Sequence, residues 1–172
     1  MNREDFVQLL SPAGQALLAQ VGDLDAKADV LQLVSSMRAA GHDAALVAAV
    51  LSQAKLRRRA RAKFGDFASQ MLFTEDGLEQ ASRLSVAAQH AGRFRDAGAR
   101  SVADLGCGIG AESLALAGIG LNVHAFEIDE VTAAVAQYNL NPFDNATVSQ
   151  ADVTDPALDL DEFDALFFDP AR

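Results

Sequence analysis

Apolar and polar positions alternate at helical spacing over roughly the first hundred residues, and capping residues divide this pattern into separate helices. Ser11 followed by Pro12 predicts a helix start, and Asp43 and Thr74 predict two others. Glycine marks helix stops at Gly22 and Gly41. The pattern therefore predicts helices at about residues 13–21, 26–40, 43–64 and 74–94.

The period changes at Ser101, where short apolar runs begin to alternate with helical segments. The runs predict strands at 101–105, 122–128, 146–151 and 164–169, with helices at 111–117 and 130–139. Strands and helices that alternate at this spacing form a parallel sheet with right-handed crossovers. The predicted fold class is α/β: a helical N-terminal module at residues 1–98, then, at 99–172, a sheet with about four parallel strands.

The chain is acidic overall, and its basic residues are unevenly distributed. A formal net charge of −10 disfavours non-specific nucleic-acid binding by the whole surface. Six of the 14 basic residues nevertheless lie in one predicted helix and form what we call the basic cluster: Lys55, Arg57, Arg58, Arg59, Arg61 and Lys63. Leu56, Ala60 and Phe64 form an apolar seam on the same helix. The basic cluster is either a solvated face or a surface that contacts nucleic-acid phosphates through Arg57, Arg58 and Arg61.

Several function classes lose support from the composition. The longest apolar run, residues 44–51, is far shorter than the roughly 20 residues of a membrane span, so no span is predicted. The lone Cys107 excludes an internal disulfide, and the N-terminus lacks a secretory-signal pattern, which predicts a cytoplasmic protein. Cys107 is predicted to pack rather than to act as a nucleophile. His42, His90 and His124 show no metal spacing, so no metal is predicted, and the sequence sets no oligomeric state.

The stretch SVADLGCGIGAESLALA joins the first predicted strand to a helix through Gly106, Gly108 and Gly110. Such a turn directs backbone N–H groups into a crevice, and glycine lets a ligand approach the backbone. GCGIGA also satisfies the dinucleotide-binding pattern, with Ala111 in the final position. Asp104 disfavours a dinucleotide because a carboxylate repels a pyrophosphate, and it favours a ligand that carries an ammonium group.

Acidic residues stand at three successive strand ends. Asp104 lies in the first strand, Glu127 ends the second, and Asp152 ends the third. A carboxylate at Glu127 can accept hydrogen bonds from both hydroxyls of a ribose, and Asp152 lies within reach of a base amino group. Because ligands bind at the carboxyl ends of parallel strands, we expect these side chains to share one site with the glycine loop.

This constellation resembles the class I S-adenosylmethionine (SAM)-dependent methyltransferases. VADLGCGIG resembles their first motif, VHAFEID the second, QADVTD the third and LFFDPAR the fourth. The resemblance implies SAM as the cofactor, with the Gly106–Gly110 loop holding its methionine portion and Asp104 its amino end. It further implies that Glu127 binds the ribose and that Asp152 and the Val153 backbone bind the adenine. The resemblance also implies that the sheet at 99–172 is the first half of a Rossmann-like methyltransferase domain.

A second resemblance concerns the segment ahead of the sheet. RARAKFGDFASQMLFTEDGLEQAS is similar to the helical lead-in of bacterial methyltransferases that carry a C-terminal THUMP-like domain, a group akin to trimethylguanosine synthases. The resemblance implies RNA as the substrate and a role in RNA modification. Members of these families continue with further strands and a substrate domain, so the sequence is expected to be truncated after its fourth motif.

The fourth motif implies the catalytic residues. By the resemblance, Asp169 and the Pro170 carbonyl accept hydrogen bonds from a target amine and align its lone pair with the methyl group. Ala171 and Arg172 replace the proline and aromatic residue of amino-group methyltransferases, so no ring follows Pro170, and Arg172 can meet a phosphate or stack on a base. The alternatives are a small-molecule methyltransferase, a cofactor-binding fragment without activity and, with less support, a dinucleotide-dependent oxidoreductase.

Overall fold

The computed structural model describes the backbone of residues 1–21 and 27–169 and the side chains of 1–21 and 32–169. The helices in these ranges are α1 (Arg3–Leu10), α2 (Pro12–Val21), α3 (Lys27–Ala39), α4 (Ala44–Phe64), α5 (Glu75–Gln80), α6 (Leu84–Asp96), α7 (Ala111–Gly118) and α8 (Glu130–Leu140), with a 3-10 helix at Gly65–Ser69. The strands are β1 (Ser101–Leu105), β2 (Asn122–Glu127), β3 (Ala146–Gln150) and β4 (Ala165–Phe168). The predicted stop at Gly22, and also Pro170, Ala171 and Arg172, lie outside the described residues.

Side-chain caps start the N-terminal helices. The Ser11 hydroxyl accepts a hydrogen bond from the Gly14 N–H at 3.0 Å, and the Asp43 carboxylate accepts one from the Ala45 N–H at 2.9 Å. Both starts were expected from the sequence. Helix α1 was not, although Asn2 and Asp5 form a capping box at its first turn.

The continuous helix predicted at 74–94 is wrong, because α5 ends at Gln80 and α6 begins at Leu84. Ala81 and Arg83, which lie between the two helices, both have an extended backbone. The Lys63 ammonium group donates hydrogen bonds to the carbonyl oxygens of Leu78, Glu79 and Ala81 at 2.8, 2.7 and 2.6 Å. A side chain from α4 therefore takes up the C-terminal carbonyls of α5, which ends the helix there.

The four strands form one parallel sheet in the order β3-β2-β1-β4. The predicted α/β fold, a helical N-terminal part followed by a four-stranded parallel sheet, is confirmed. Because the chain moves outward from β1 to β3 and then returns beside β1 as β4, the strand order reverses between β1 and β4. A crevice at the carboxyl ends of the strands at such a reversal is where ligands bind in open α/β sheets.

One cluster of buried side chains includes residues from the N-terminal helices and from the sheet. Leu56, Ala60 and Phe64 belong to it, as the predicted seam requires. The Asn139 side chain of α8 ties the chain after the 3-10 helix to the sheet: its amide accepts from the Leu72 N–H at 2.8 Å and donates to the Ile109 carbonyl at 2.9 Å. These two hydrogen bonds hold the chain at Leu72 beside the glycine loop. The domain boundary at 98/99 remains a prediction.

Candidate functional site

The glycine loop links β1 to α7 in a conformation that requires glycine. Gly106, Gly108 and Gly110 have φ values of +81°, +56° and +86°, a region that other residues rarely adopt. The Gly106 and Cys107 N–H groups both donate to the Phe126 carbonyl at 2.9 Å, which fixes the loop against β2. A Cβ atom at Gly106 or Gly108 would meet nothing within 4 Å, so open space lies in front of the loop.

Glu127 stands at the end of β2, and backbone groups fix its carboxylate. Oε2 accepts a hydrogen bond from the Gly108 N–H at 2.9 Å, and Oε1 accepts one from the Asp129 N–H at 3.0 Å. Each carboxylate oxygen can accept a further hydrogen bond. The glycine loop therefore orients Glu127 and leaves it able to bind two hydroxyl groups.

Asp104 lies beneath the loop with a relative exposure of only 1%. Its Oδ2 accepts a hydrogen bond from the Ser113 hydroxyl at 2.6 Å, in the first turn of α7. Burial, reinforced by the nearby Glu112 and Glu127 carboxylates, raises the pKa of Asp104 to about 7, against the effect of the Ser113 hydrogen bonds. Gly110 has no side chain with which to cap α7, so Asp104 serves as an acceptor at this helix start.

A second buried carboxylate, Glu112, stands one residue before Ser113 in the first turn of α7. The Nδ1 atom of His90 lies 3.3 Å from its Oε1 and 3.2 Å from its Oε2. The His90 ring comes from α6 and packs against the Phe167 ring of β4, with 5.6 Å between the ring centroids. Sequence reasoning missed this pair, because nothing local relates position 90 to position 112.

These groups open onto a cavity of about 990 Å³ at the carboxyl ends of β1, β2 and β4. Residues 74–77 and 80–82 of the α5 segment form part of its wall, which the sequence did not indicate as a site. The exposed apolar side chains Ile128 and Phe168 also line it. Seven carboxylates stand among the described lining residues, and no lysine or arginine does: Glu75, Asp76, Asp104, Glu112, Glu127, Asp129 and Asp169. The described walls therefore favour a cationic ligand.

Phe168 changes one sequence expectation about this cavity. Reasoning from the residues after Pro170 left no ring available to stack on a base. Phe168 precedes Asp169, is 59% exposed and lines the cavity, so β4 itself supplies a ring. Asp169 lines the cavity as predicted from its strand end.

The structure does not bring all the predicted residues to the cavity wall. Asp152 accepts hydrogen bonds from the Thr154 N–H at 2.9 Å and from the Thr154 hydroxyl at 2.6 Å, and these bonds lower its pKa. Val153 packs with a smaller cluster formed by Ala103, Leu105 and Phe126. Neither Asp152 nor Val153 is among the lining residues.

Three members of the basic cluster make contacts within the chain. Arg57 donates from Nε to the Met71 carbonyl at 2.8 Å, Arg59 pairs with Glu75, and Lys63 holds the end of α5. These contacts attach the segment that leads into the cavity wall to α4. Arg58 and Arg61 are exposed on the same helix and also take part in interactions.

The remaining candidate groups have structural roles. Burial raises the pKa of the Cys107 thiol, as do the charges of Asp104 and Glu127, which keeps the thiol protonated. The His124 Nε2 lies 2.7 Å from the Ser149 hydroxyl, and its ring stacks on Phe126. In the part of the chain that the structure describes, no group of three or more side chains is placed to hold a metal ion. No helix in those same residues is long and apolar enough to cross a membrane.

Comparisons with known proteins agree with this geometry. Residues 102–169 match a family model described as a methyltransferase domain, and residues 2–60 match a domain of unknown function, DUF8688. Two curated relatives are uncharacterized S-adenosylmethionine-dependent methyltransferases of Mycobacterium tuberculosis, from strains CDC 1551 / Oshkosh and ATCC 25618 / H37Rv. Each is 36% identical over 123 residues, or 68% of this chain and 33% of the relative. The chain thus spans about one third of the length of these relatives.

Solved structures with similar folds include the N-terminal domain of EvdMO1 with S-adenosylhomocysteine (SAH) bound, at 25% identity and a TM-score of 0.44, covering 65% of this chain and 51% of that one. The glycopeptide N-methyltransferase MtfA is 26% identical with a TM-score of 0.40, covering 48% of this chain and 40% of that one. The family model and the curated relatives thus make residues 102–169 similar to a SAM-dependent methyltransferase domain, and the parallel sheet with its glycine loop agrees with that similarity.

Proposed function

We propose that the protein of which this chain is a part transfers a methyl group from SAM. The observation that supports this best is the glycine loop, whose Gly108 N–H orients the Glu127 carboxylate at the edge of an acidic cavity. The residues present fit the cofactor: open space lies in front of Gly106 and Gly108, where a side chain would project into it, and the carboxylates suit a ribose diol and a cation. When bound, SAM supplies an electrophilic methyl group on a sulfonium.

The residues of this chain then bind the cofactor and orient the acceptor amine. Glu127 accepts hydrogen bonds from the ribose hydroxyls, Asp104 faces the amino end, and the Gly106–Gly110 loop holds the methionine portion. We also propose that Asp152 and the Val153 backbone bind the adenine. To bind it, the Asp152 carboxylate would have to share or give up its hydrogen bonds with Thr154. Asp169, with Pro170, accepts a hydrogen bond from the acceptor amine and so orients its lone pair. Positioning of this kind supplies much of the rate of a transfer reaction.

Replacement of Glu127 by alanine is the direct test of the cofactor site. We expect it to weaken SAH binding by about 1–3 kcal/mol, because charge-assisted hydrogen bonds to the ribose are lost. Titration calorimetry with SAH, and with a nicotinamide dinucleotide for comparison, measures this. Asp155→Ala is the matched control, since Asp155 is exposed and lies outside the cavity wall. Equal affinity of Glu127→Ala and the parent would contradict the ribose assignment, and tighter binding of the dinucleotide would favour an oxidoreductase.

For the acceptor we propose an amino group in RNA, with action in the cytoplasm and membership of the THUMP-like subfamily. The supporting observation is that Arg58 and Arg61 are exposed on α4, whereas no lysine or arginine stands among the described lining residues of the cavity. Arg172 lies outside the described residues and is retained as a candidate phosphate contact. A small-molecule amine is the competing acceptor, and the acidic cavity favours it.

Joint replacement of Arg58 and Arg61 by alanine distinguishes these acceptors. For single-stranded RNA, each phosphate that the protein neutralises lowers the logarithm of the affinity by about 0.7 for every tenfold rise in salt. If Arg58 and Arg61 each contact a phosphate, the plot of log affinity against log salt should be shallower in the variant by up to two such contacts. The measurement is the affinity for a single-stranded RNA oligonucleotide across a salt series. Arg57 is left intact because its guanidinium bonds the Met71 carbonyl. Arg3→Ala with Arg95→Ala matches the change in net charge at exposed positions elsewhere, and equal slopes in both variants would favour the small-molecule acceptor.

A further inference from the structure

The pair formed by Glu112 and His90 links α7 to α6 and is not among the cofactor contacts proposed above. Glu112 is 7% exposed, yet it lines the cavity in the first turn of α7. A buried carboxylate is costly unless it is paired or accepts several hydrogen bonds. The start of α7 already has an acceptor in Asp104, which bonds Ser113. An apolar or amide side chain at position 112 would therefore fit the helix without the cost of a second buried charge.

The groups around Glu112 favour the binding of a cation. Its charge is felt at Asp104, where it contributes to the raised pKa of that carboxyl. Two carboxylates that share a site repel each other, and a positive group between them removes the repulsion. Among the described lining residues no lysine or arginine supplies such a group. The neighbouring glycine loop and the start of α7 are where the methionine portion of the cofactor is proposed to lie.

We infer that Glu112 binds the ammonium group of the amino-acid portion of SAM beside Asp104, and that His90 is a positioning residue that holds the Glu112 carboxylate toward the cavity. This inference rests on the proposed function. Three elements constrain His90: it belongs to α6, its Nδ1 contacts both oxygens of Glu112 on α7, and its ring packs on Phe167 of β4.

The test compares ligands that differ in the amino-acid portion. SAH carries the ammonium and carboxylate groups, decarboxylated SAH keeps the ammonium group without the carboxylate, and 5′-methylthioadenosine carries neither. All three are neutral thioethers at sulfur. We expect Glu112→Gln to weaken the binding of SAH and decarboxylated SAH by about 10- to 100-fold, the range of a hydrogen bond between charged groups, and to leave the affinity for 5′-methylthioadenosine unchanged. Glutamine keeps the size of the side chain, and titration calorimetry on the chain measures all three affinities.

Variants at position 90 test the positioning role. His90→Leu removes the contact with the carboxylate and should weaken SAH several-fold with 5′-methylthioadenosine unchanged, whereas His90→Gln keeps a donor and should restore most of the SAH affinity. Equal losses for SAH and 5′-methylthioadenosine in the Glu112 variant would overturn the inference in favour of a packing role. Unchanged SAH affinity would overturn it in favour of Asp104 alone. Failure of the parent chain to bind SAH or 5′-methylthioadenosine would instead overturn the proposed function.

Discussion

Replacement of Gly108 by valine is expected to abolish SAH binding while the chain remains folded. Gly108 has a φ of +56°, which a β-branched residue avoids, and its N–H donates to the Glu127 Oε2. A change of this φ removes that donor from Glu127, and the new side chain enters the space in front of the loop. One substitution thus disturbs both the ribose acceptor and the volume the cofactor needs.

The matched control for this prediction is Gly41→Val, in the turn before α4. Gly41 has a φ of +83°, a Cβ there meets nothing within 4 Å, and the position is not part of the cavity wall. Both variants carry the same type of backbone strain, so circular dichroism should show a folded chain and a similar loss of thermal stability in each. Calorimetry with SAH should show binding only in Gly41→Val and the parent. Binding by Gly108→Val would mean that the ligand approaches another part of the molecule.

The glycine loop and the strand ends were predictable because their signals are local. A strand, a run of glycines and a helix follow one another within residues 101–117, and Glu127 follows the next strand directly. Parallel pairing then brings these positions to one edge of the sheet. Asp169 follows from the same rule. Local sequence patterns therefore brought the ends of β1, β2 and β4 to the cavity, whereas Asp152 after β3 does not line it.

The opposite wall depends on contacts that no local pattern contains. Hydrogen bonds exchanged between Leu72 and the Asn139 amide hold the chain that leads into α5, and the Lys63 ammonium group donates to three carbonyls at the end of α5. Its acidic first turn is typical of any helix start and gave no sign of a site. The pair of His90 and Glu112 is hidden for the same reason, since α6 and α7 must pack before the two residues meet.

The basic cluster shows how a charge pattern can be read in more than one way. Sequence spacing placed six cations around one helix, which left a solvated face and an RNA surface as the two interpretations. Arg57 and Lys63 instead donate to backbone carbonyls, and Arg59 pairs with Glu75. Half of the cluster therefore stabilises the chain segment beside the cavity, and only the exposed Arg58 and Arg61 are used in the test with RNA.

Asp104→Asn is expected to make the free energy of unfolding much less dependent on pH. The carboxyl has a pKa of about 7 in the folded chain against 3.8 as its ordinary value, because it is buried beside other carboxylates. The folded state therefore holds this proton more tightly, and the resulting stability is fully present below pH 3.8 and is lost as the pH rises through about 7. The shift corresponds to roughly 4 kcal/mol, an upper limit for what the parent loses relative to the variant between acid and alkaline pH.

Urea unfolding of the parent and Asp104→Asn between about pH 5 and 8 measures this difference, since most of the predicted titration falls in that window. Asparagine keeps an oxygen that can accept the Ser113 hydrogen bond, so loss of the helix contact does not confound the comparison. Asp152→Asn is the matched control: its pKa is lowered by the Thr154 hydrogen bonds, so its contribution is lost only at lower pH and its curve should follow the parent across the window. Parallel curves for the parent and Asp104→Asn would show that the buried carboxyl is ionised throughout. In that case the two carboxylates beneath the glycine loop would both be charged, and the demand for a cation at this end of the cavity would be stronger.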